Sequence, residues 1–196
     1  MNYLAHSLLS FSKEPILFGQ FIADDIKGSQ WKEYSKEVQT GILLHRFIDD
    51  FTDRHELLRD LRKHMHPVLG KFSGIALDVI FDHVLSLRWE EYSTYNRTTW
   101  IHETYKQLSN CIPAMSDKRK YLLSKMIEHD WMHMYQSKEG TSSILEQMSR
   151  RIATQNPLSH SIRVFEEHQN TIISAFDEFF PQLLSAAQSK LNTFAA

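Results

Sequence analysis

The chain has 196 residues, a formal net charge of −2 at neutral pH and a single cysteine, Cys111. One cysteine excludes an intramolecular disulfide framework and suits a reducing compartment. The small negative charge argues against a general attraction to nucleic acid. With only six glycines and five prolines, the composition favours long helices over strands and turns.

Apolar residues recur at helical spacing along most of the chain, which predicts an all-α, single-domain bundle of about eight or nine helices without a convincing strand. The expected helices cover residues 1–12, 12–27, 36–51, 55–66, 75–91, 98–110, 117–137, 142–151 and 161–180. Ser12 is expected to cap the second helix, while Pro67 and Pro181 are expected to end the fourth and the last.

Neither a membrane span nor a signal peptide is predicted. No apolar run approaches the roughly 18 residues that a span needs. The first residues carry no basic segment before their apolar side chains. We therefore expect a cytoplasmic protein without a membrane partner.

His45 and Asp49 of the third expected helix, and Asp53 just beyond its expected end, follow one another at intervals of four residues. Side chains at this spacing lie along one side of a helix, close enough to share a site. A His–Asp pair one turn apart is a common way for a helix to offer metal ligands. An ordinary hydrogen-bonded pair beside the core is the alternative.

Asp78, Asp82 and His83 interrupt the most apolar helix of the chain. A helix that is apolar on most sides is buried on most sides, so Asp82 and His83 are expected inside the protein. A bare charge is not tolerated there. Either a bound ion or a satisfied Asp–His hydrogen bond has to compensate it.

Two further candidates are weaker. Asp24 and Asp25 are adjacent and cannot both face inward; Asp24, which follows the small Ala23, is the better ligand candidate, with a solvated helix end as the alternative. His6 stands alone among apolar residues, where most histidines are structural.

Basic residues concentrate in two places. A local patch that could steer an acidic partner, or form a solvated helix face, contains Arg54, Arg59, Arg62 and Lys63. Arg150 and Arg151 form a smaller pair that could hold a phosphate in bidentate fashion. Arg46 points away from His45 by about 100° and could pair with Asp50 or bind phosphate.

Together, these motifs resemble the acyl carrier protein phosphodiesterase family, also called holo-acyl-carrier-protein hydrolase. Order and spacing match over most of the chain, and residues 92–140 are the least distinctive part. The matching residues are Met1-Asn2-Tyr3-Leu4-Ala5-His6, Gly19, Ala23-Asp24, Lys27-Gly28, Gly41-Ile42, Leu44-His45-Arg46, Ile48-Asp49, Thr52-Asp53, Leu77-Asp78-Val79, Asp82-His83, Leu85-Ser86, Met148 and Arg150-Arg151.

The resemblance implies an all-helical fold distantly similar to the HD-type metal-dependent phosphohydrolases. It also implies hydrolysis of the phosphodiester between a carrier-protein serine and 4′-phosphopantetheine, with Mn²⁺ or Mg²⁺ as cofactor. HD enzymes carry a forward His-Asp dipeptide. Here the buried dipeptide is reversed, Asp82-His83, and the forward one, His129-Asp130, lies in the least distinctive region and is interpreted as incidental.

The resemblance assigns a role to each candidate. The expected metal ligands are Asp24, His45, Asp82 and His83. The expected catalytic residues are Asp24, Asp49 and, as general acid, His6. The expected phosphate-binding residues are Lys27, Arg46, Arg150 and Arg151. Holo-acyl carrier protein is the expected partner of the patch formed by Arg54, Arg59, Arg62 and Lys63.

Two other functions remain open at this point. One is a phosphohydrolase of the same type that acts on a nucleotide or another small phosphodiester. The other is a non-catalytic helical module that binds a protein partner.

Overall fold

Helices form most of the chain in the computed structural model, which describes residues 1–195, and no strand occurs within that range. The all-α prediction is therefore confirmed. The α-helices are α1 (Tyr3–Leu8), α2 (Glu14–Ile22), α3 (Lys36–Arg54), α4 (Glu56–Leu69), α5 (Ser73–Leu87), α6 (Trp89–Tyr92), α7 (Arg97–Asn110), α8 (Asp117–Glu128), α9 (Trp131–Met134), α10 (Lys138–Arg151), α11 (Ser161–Glu167) and α12 (Gln169–Ala195). Short 3₁₀ segments join several of them.

Polar side chains cap several helix starts. Asn2 accepts a hydrogen bond from the N–H of Tyr3, the first residue of α1, whereas Ser116 and Ser137 accept one from the N–H of the third residue of α8 and α10. The prediction that Ser12 caps α2 is wrong. Ser12 lies in a left-handed turn with φ of 59°, and α2 begins after Lys13.

The two prolines expected to end helices lie inside them instead. Pro67 is in the last turn of α4, and Pro181 is in the interior of α12. Phe180 and Leu183, on either side of Pro181, are fully buried. Their burial offsets the roughly 3 kcal/mol that a proline costs inside a helix, so packing overrides the local signal.

Helix α5 lies at the centre of the bundle, in contact with α1, α4, α10, α11 and α12. Its Phe81 packs edge-on against Phe176 of α12, with ring centroids 5.2 Å apart. Helix α3 packs against α2, α4 and α12. None of the described helices combines the length and apolar character needed to cross a membrane.

Candidate metal centre

A close crossing of α2 and α3 builds one wall of the site. A Cβ added to Gly19 would lie 2.3 Å from a carbonyl oxygen of α3, and one added to Gly41 would lie 2.2 Å from a carbonyl oxygen of α2. Such contacts are forbidden, so both positions require glycine. Because α2 runs directly into the 3₁₀ turn Ala23–Asp25, this crossing brings Asp24 beside His45 of α3.

Four side chains from three elements converge there and are named the cavity cluster: His6, Asp24, His45 and Asp49. The His45 Nε2 atom lies 3.1 Å from Asp24 Oδ1 and 3.1 Å from Asp49 Oδ2. The His6 Nε2 atom lies 3.2 Å from Asp49 Oδ1, and the two imidazole rings stack with centroids 4.2 Å apart. The one-turn spacing predicted for His45 and Asp49 is what lets them share the site.

The cluster lines a cavity of about 300 Å³. Asp53 and Asp78 add carboxylates to its wall, whereas Tyr3, Leu17 and Phe21 provide an apolar surface. A cavity lined by both charged and apolar side chains can accept a ligand that has a polar head and a less polar arm.

The pKa values of the residues in the cavity cluster depend on one another. Burial lowers the pKa of His6. Burial also lowers the pKa of His45, but hydrogen bonds to Asp24 and Asp49 outweigh it and raise that pKa to about 9. The hydrogen bond from His45 in turn holds the pKa of Asp24 well below its usual range. Two carboxylates thus share the proton of one imidazole, and His45 has to release that proton before this nitrogen can bind a metal ion.

The donor atoms fit a divalent cation. Ligand atoms of His6, His45 and Asp49 all lie within 4.8 Å of one another. The buried His6 Nε2 atom lies 3.2 Å from Asp49 Oδ1 but makes no well-aligned hydrogen bond among the described residues, and a buried nitrogen is costly to leave without one. Imidazole nitrogens together with carboxylate oxygens are ligands for Mn²⁺, Fe²⁺ and Zn²⁺.

Two buried residues support the cluster from behind, and the sequence interpretation missed both. Gln20, which is 2 % exposed, places its Oε1 atom 3.0 Å from His6 Nδ1. When the Nδ1–H donates to Gln20, the Nε2 lone pair faces the cluster. Arg119 of α8 donates to Asp24 Oδ2 from 3.2 Å.

The sequence contains an indication of Gln20 but none of Arg119. Gln20 of α2 lies four residues before Asp24 in a stretch expected to be helical, so helical spacing could have indicated it. Arg119 belongs to the least distinctive region and carries no motif that would single it out.

Asp82 and His83, named the buried pair, lie outside the cluster and do not line the cavity. Asp82 is 0 % exposed and accepts hydrogen bonds from three main-chain N–H groups at the start of α1, the shortest of 2.7 Å from Leu4. The His83 Nδ1 atom lies 2.7 Å from the Tyr135 carbonyl oxygen. The structure therefore places Asp82 and His83 apart from Asp24 and His45 of the expected ligand set, and the main chain provides hydrogen-bond partners for both of them.

The environment of Asp82 also differs from that of the cluster. Burial raises the pKa of Asp82 to about 7, although the Met1 ammonium group and the α1 N–H groups oppose this change. That ammonium group is ion-paired with Asp78 at 2.8 Å.

Two of the expected phosphate ligands are directed elsewhere. The Arg46 guanidinium group donates to the carbonyl oxygen of Ile26 at 2.7 Å and so fastens the loop that follows Asp24. The Lys27 side chain is exposed, and neither Arg46 nor Lys27 lines the cavity.

Arg150 and Arg151 are distinguished by their neighbours. Arg150 pairs with Glu146 at 3.5 Å on the surface of α10. The Arg151 guanidinium carbon lies 5.0 Å from the ring centroid of Trp131, and that ring packs on Tyr3 of the cavity wall, with centroids 6.3 Å apart. Arg151 is therefore connected to the cavity wall through Trp131 and Tyr3, although neither arginine lines the cavity itself.

The basic patch on α3 and α4 is partly neutralised by its own neighbours. Its ion pairs are Arg54–Asp50 at 2.8 Å, Arg59–Glu56 at 3.6 Å, Arg62–Asp53 at 3.3 Å and Lys63–Asp60 at 2.8 Å. Since Asp53 lines the cavity, the Arg62 pair connects the patch to the cavity edge.

The forward His-Asp dipeptide does not reach the cavity. His129 is exposed, and Asp130 pairs with the Nδ1 atom of His133 at 2.7 Å. Neither residue of the dipeptide lines the cavity.

Comparison with known proteins identifies relatives over nearly the whole length. The family model described as acyl carrier protein phosphodiesterase matches residues 1–183. An acyl carrier protein phosphodiesterase of Photorhabdus laumondii is 30 % identical over 191 residues, which cover 97 % of this chain and 96 % of that protein. A protein of the same name from Yersinia enterocolitica is 28 % identical over 97 % of this chain and 99 % of its own length. No solved structure matches the chain.

Proposed function

Because the chain belongs to the acyl carrier protein phosphodiesterase family, whose members are phosphodiester hydrolases, we propose that it hydrolyses holo-acyl carrier protein to apo-acyl carrier protein and 4′-phosphopantetheine. The observation that carries this proposal is the cavity cluster, in which two imidazoles and two carboxylates converge at one cavity. The proposed reaction takes place in the cytoplasm, with acyl carrier protein as the substrate.

A divalent cation, Mn²⁺ or Mg²⁺, is part of the proposal. His6, His45 and Asp49 would hold it together with Asp24, and the imidazole nitrogens favour Mn²⁺ over Mg²⁺. When bound, such an ion neutralises phosphoryl charge and lowers the pKa of bound water. His6, expected from the sequence as general acid, is reassigned in this proposal to the ligand group.

The shape of the cavity supports a substrate with an anionic group and an extended arm. The cluster would face the phosphodiester, while Tyr3, Leu17 and Phe21 would contact the less polar pantetheine arm. Burial against this wall orients the arm and excludes water from one side of the scissile bond.

Arg151 is the proposed phosphate-binding residue, although it approaches the cavity only through Trp131 and Tyr3 and does not line it. Its guanidinium group lies over Trp131, whereas that of Arg150 is already paired with Glu146. A guanidinium group can bind two phosphoryl oxygens at once. Arg151→Met should therefore raise the KM for holo-carrier protein by roughly tenfold, a loss of about 1.4 kcal/mol. Arg150→Met serves as the matched control and should leave KM nearly unchanged.

The patch formed by Arg54, Arg59, Arg62 and Lys63 is the proposed docking surface for the acidic carrier protein. Its ion pairs are exposed, and exposed pairs contribute little stability, so these cations can exchange their partners for carboxylates of another protein. Reversing the charges of Arg59 and Lys63 together should weaken binding more at low salt than at high salt. Equal weakening at all salt concentrations would argue against electrostatic steering.

Mass spectrometry of purified holo-carrier protein tests the proposed reaction directly. The carrier protein is incubated with this protein, with Mn²⁺ in one arm and with chelator in the other. Loss of the phosphopantetheinyl group only in the Mn²⁺ arm is the expected result. No loss of mass from the carrier protein, together with hydrolysis of a small diester, would contradict the proposed substrate and favour a small-molecule phosphohydrolase.

A further inference from the structure

Arg119 is a buried cation whose partners include the cavity cluster. It is 3 % exposed. Burying a guanidinium group costs several kcal/mol unless its charge is paired. Two carboxylates pair with it: Nε donates to Asp25 Oδ2 at 2.6 Å, and Nη2 donates to Asp24 Oδ2 at 3.2 Å.

These contacts divide the Asp24 carboxylate between two tasks. Its Oδ2 atom faces Arg119, and its Oδ1 atom faces His45 Nε2 at 3.1 Å. The Asp24 side chain is 57 % exposed, so few packing contacts restrict its rotamer. The bond from Arg119 therefore selects the orientation in which Oδ1 points into the cluster.

Arg119 is itself held in place on its other sides. Its guanidinium carbon lies 5.5 Å from the ring centroid of Phe21, which lines the cavity. Asp25 accepts a second bond at its Oδ1 atom, from Lys118 Nζ at 2.6 Å. The planar fork of an arginine can reach both carboxylates at once, whereas the single ammonium group of a lysine cannot.

We propose that Arg119 is a positioning residue that orients Asp24 as a ligand of the metal ion, with α8 supplying this support to the site. The proposal rests on the metal-dependent function proposed above. Residues that orient metal ligands typically change metal affinity by roughly 10–100-fold when they are replaced. Simple attachment of α8 to the turn after α2 is the competing explanation, and it would require only the pair with Asp25.

The neighbouring residue offers a matched control. Lys118 and Arg119 both pair with Asp25, but only Arg119 reaches Asp24. Mn²⁺ affinity is measured by titration calorimetry without substrate, for wild type, Arg119→Lys, Arg119→Met and Lys118→Met. The melting temperature of each variant is measured in chelator. We expect Arg119→Lys to bind Mn²⁺ roughly 10–100-fold more weakly while it remains folded, and Lys118→Met to bind like wild type.

A double-mutant cycle with Asp24→Asn separates positioning from folding. If Arg119 acts through Asp24, adding Arg119→Lys to Asp24→Asn should cause little further loss of Mn²⁺ affinity. Wild-type affinity in folded Arg119→Lys, or fully additive losses in the double variant, would overturn the proposal. So would a wild-type protein that binds no Mn²⁺. If Mn²⁺ binds as expected but the carrier protein is not hydrolysed, the proposed substrate fails and the role of Arg119 stands.

Discussion

The cavity cluster and the buried pair contain the same two residue types, but their hydrogen bonds differ. In the buried pair, Asp82 accepts three main-chain N–H groups and His83 contacts a carbonyl oxygen. In the cluster, two carboxylates compete for the same nitrogen of His45, and His6 Nε2, 3.2 Å from Asp49 Oδ1, makes no well-aligned hydrogen bond among the described residues.

This difference supports a structural role for the buried pair and the chemical role proposed for the cavity cluster. Burying a polar group costs free energy unless a partner compensates it. Either main-chain hydrogen bonds or a metal ion can provide that compensation, so burial alone does not distinguish the two. Asp82 obtains its partners from α1, so no ion is needed there. The cluster has more acceptor atoms than donors, which is the condition that a cation relieves.

The largest expected effect comes from removing Asp49. Asp49→Ala should reduce hydrolysis of holo-carrier protein roughly 10²-fold or more, since a properly held cation supplies several kcal/mol of transition-state stabilisation. Initial rates are measured by mass spectrometry of the carrier protein. The melting temperature in chelator should stay close to that of wild type, and a wild-type rate would remove Asp49 from the site.

Asp82→Ala should lower the stability of the protein and leave Mn²⁺ binding intact, which is the reverse of the effect expected for Asp49→Ala. The N–H groups at the start of α1 would lose their acceptor, which is expected to lower the free energy of unfolding by about 2–4 kcal/mol. Urea denaturation measures this loss. Mn²⁺ affinity of the folded variant should be unchanged, and a stable Asp82→Ala variant that no longer binds Mn²⁺ would reverse the comparison.

The pH dependence of stability provides a third distinction. The pKa of Asp82 is raised from 3.8 to about 7 in the folded protein, so the folded state binds this proton more tightly than the unfolded state. The tighter binding of this proton stabilises the folded state, and that stabilisation decreases as the pH rises from 3.8 to about 7. Relative to Asp82→Asn, the free energy of unfolding of wild type should fall by about 1.4 kcal/mol between about pH 5 and pH 6. Identical pH dependence in the two proteins would show that burial does not control this carboxyl group.

The smallest effect is expected at His83. His83→Leu removes the hydrogen bond with Tyr135 and should lower the free energy of unfolding by about 1 kcal/mol, without changing Mn²⁺ affinity. His45→Leu is the matched substitution in the cluster and should abolish Mn²⁺ binding. Calorimetry of both variants measures the contrast, and loss of Mn²⁺ binding in His83→Leu would contradict it.

Prediction from the sequence worked best where the physics is local. Helical periodicity predicts the all-α fold, and the spacing of His45 and Asp49 predicts that they share one side of a helix; both appear in the structure. It failed for Pro181, where buried apolar neighbours outweigh the local cost of proline. It missed Arg119, because nothing in residues 92–140 indicates that α8 meets the turn carrying Asp24.

The sequence by itself determined the helical architecture and the types of ligand available, because both depend on residues within a few turns of one another. Only the tertiary structure decided which His and Asp residues lie together. Asp82 meets the start of α1 across 78 residues of chain, and Arg119 meets Asp24 across 95. Whether a buried carboxylate is satisfied depends on these distant hydrogen-bond donors, which no local pattern encodes.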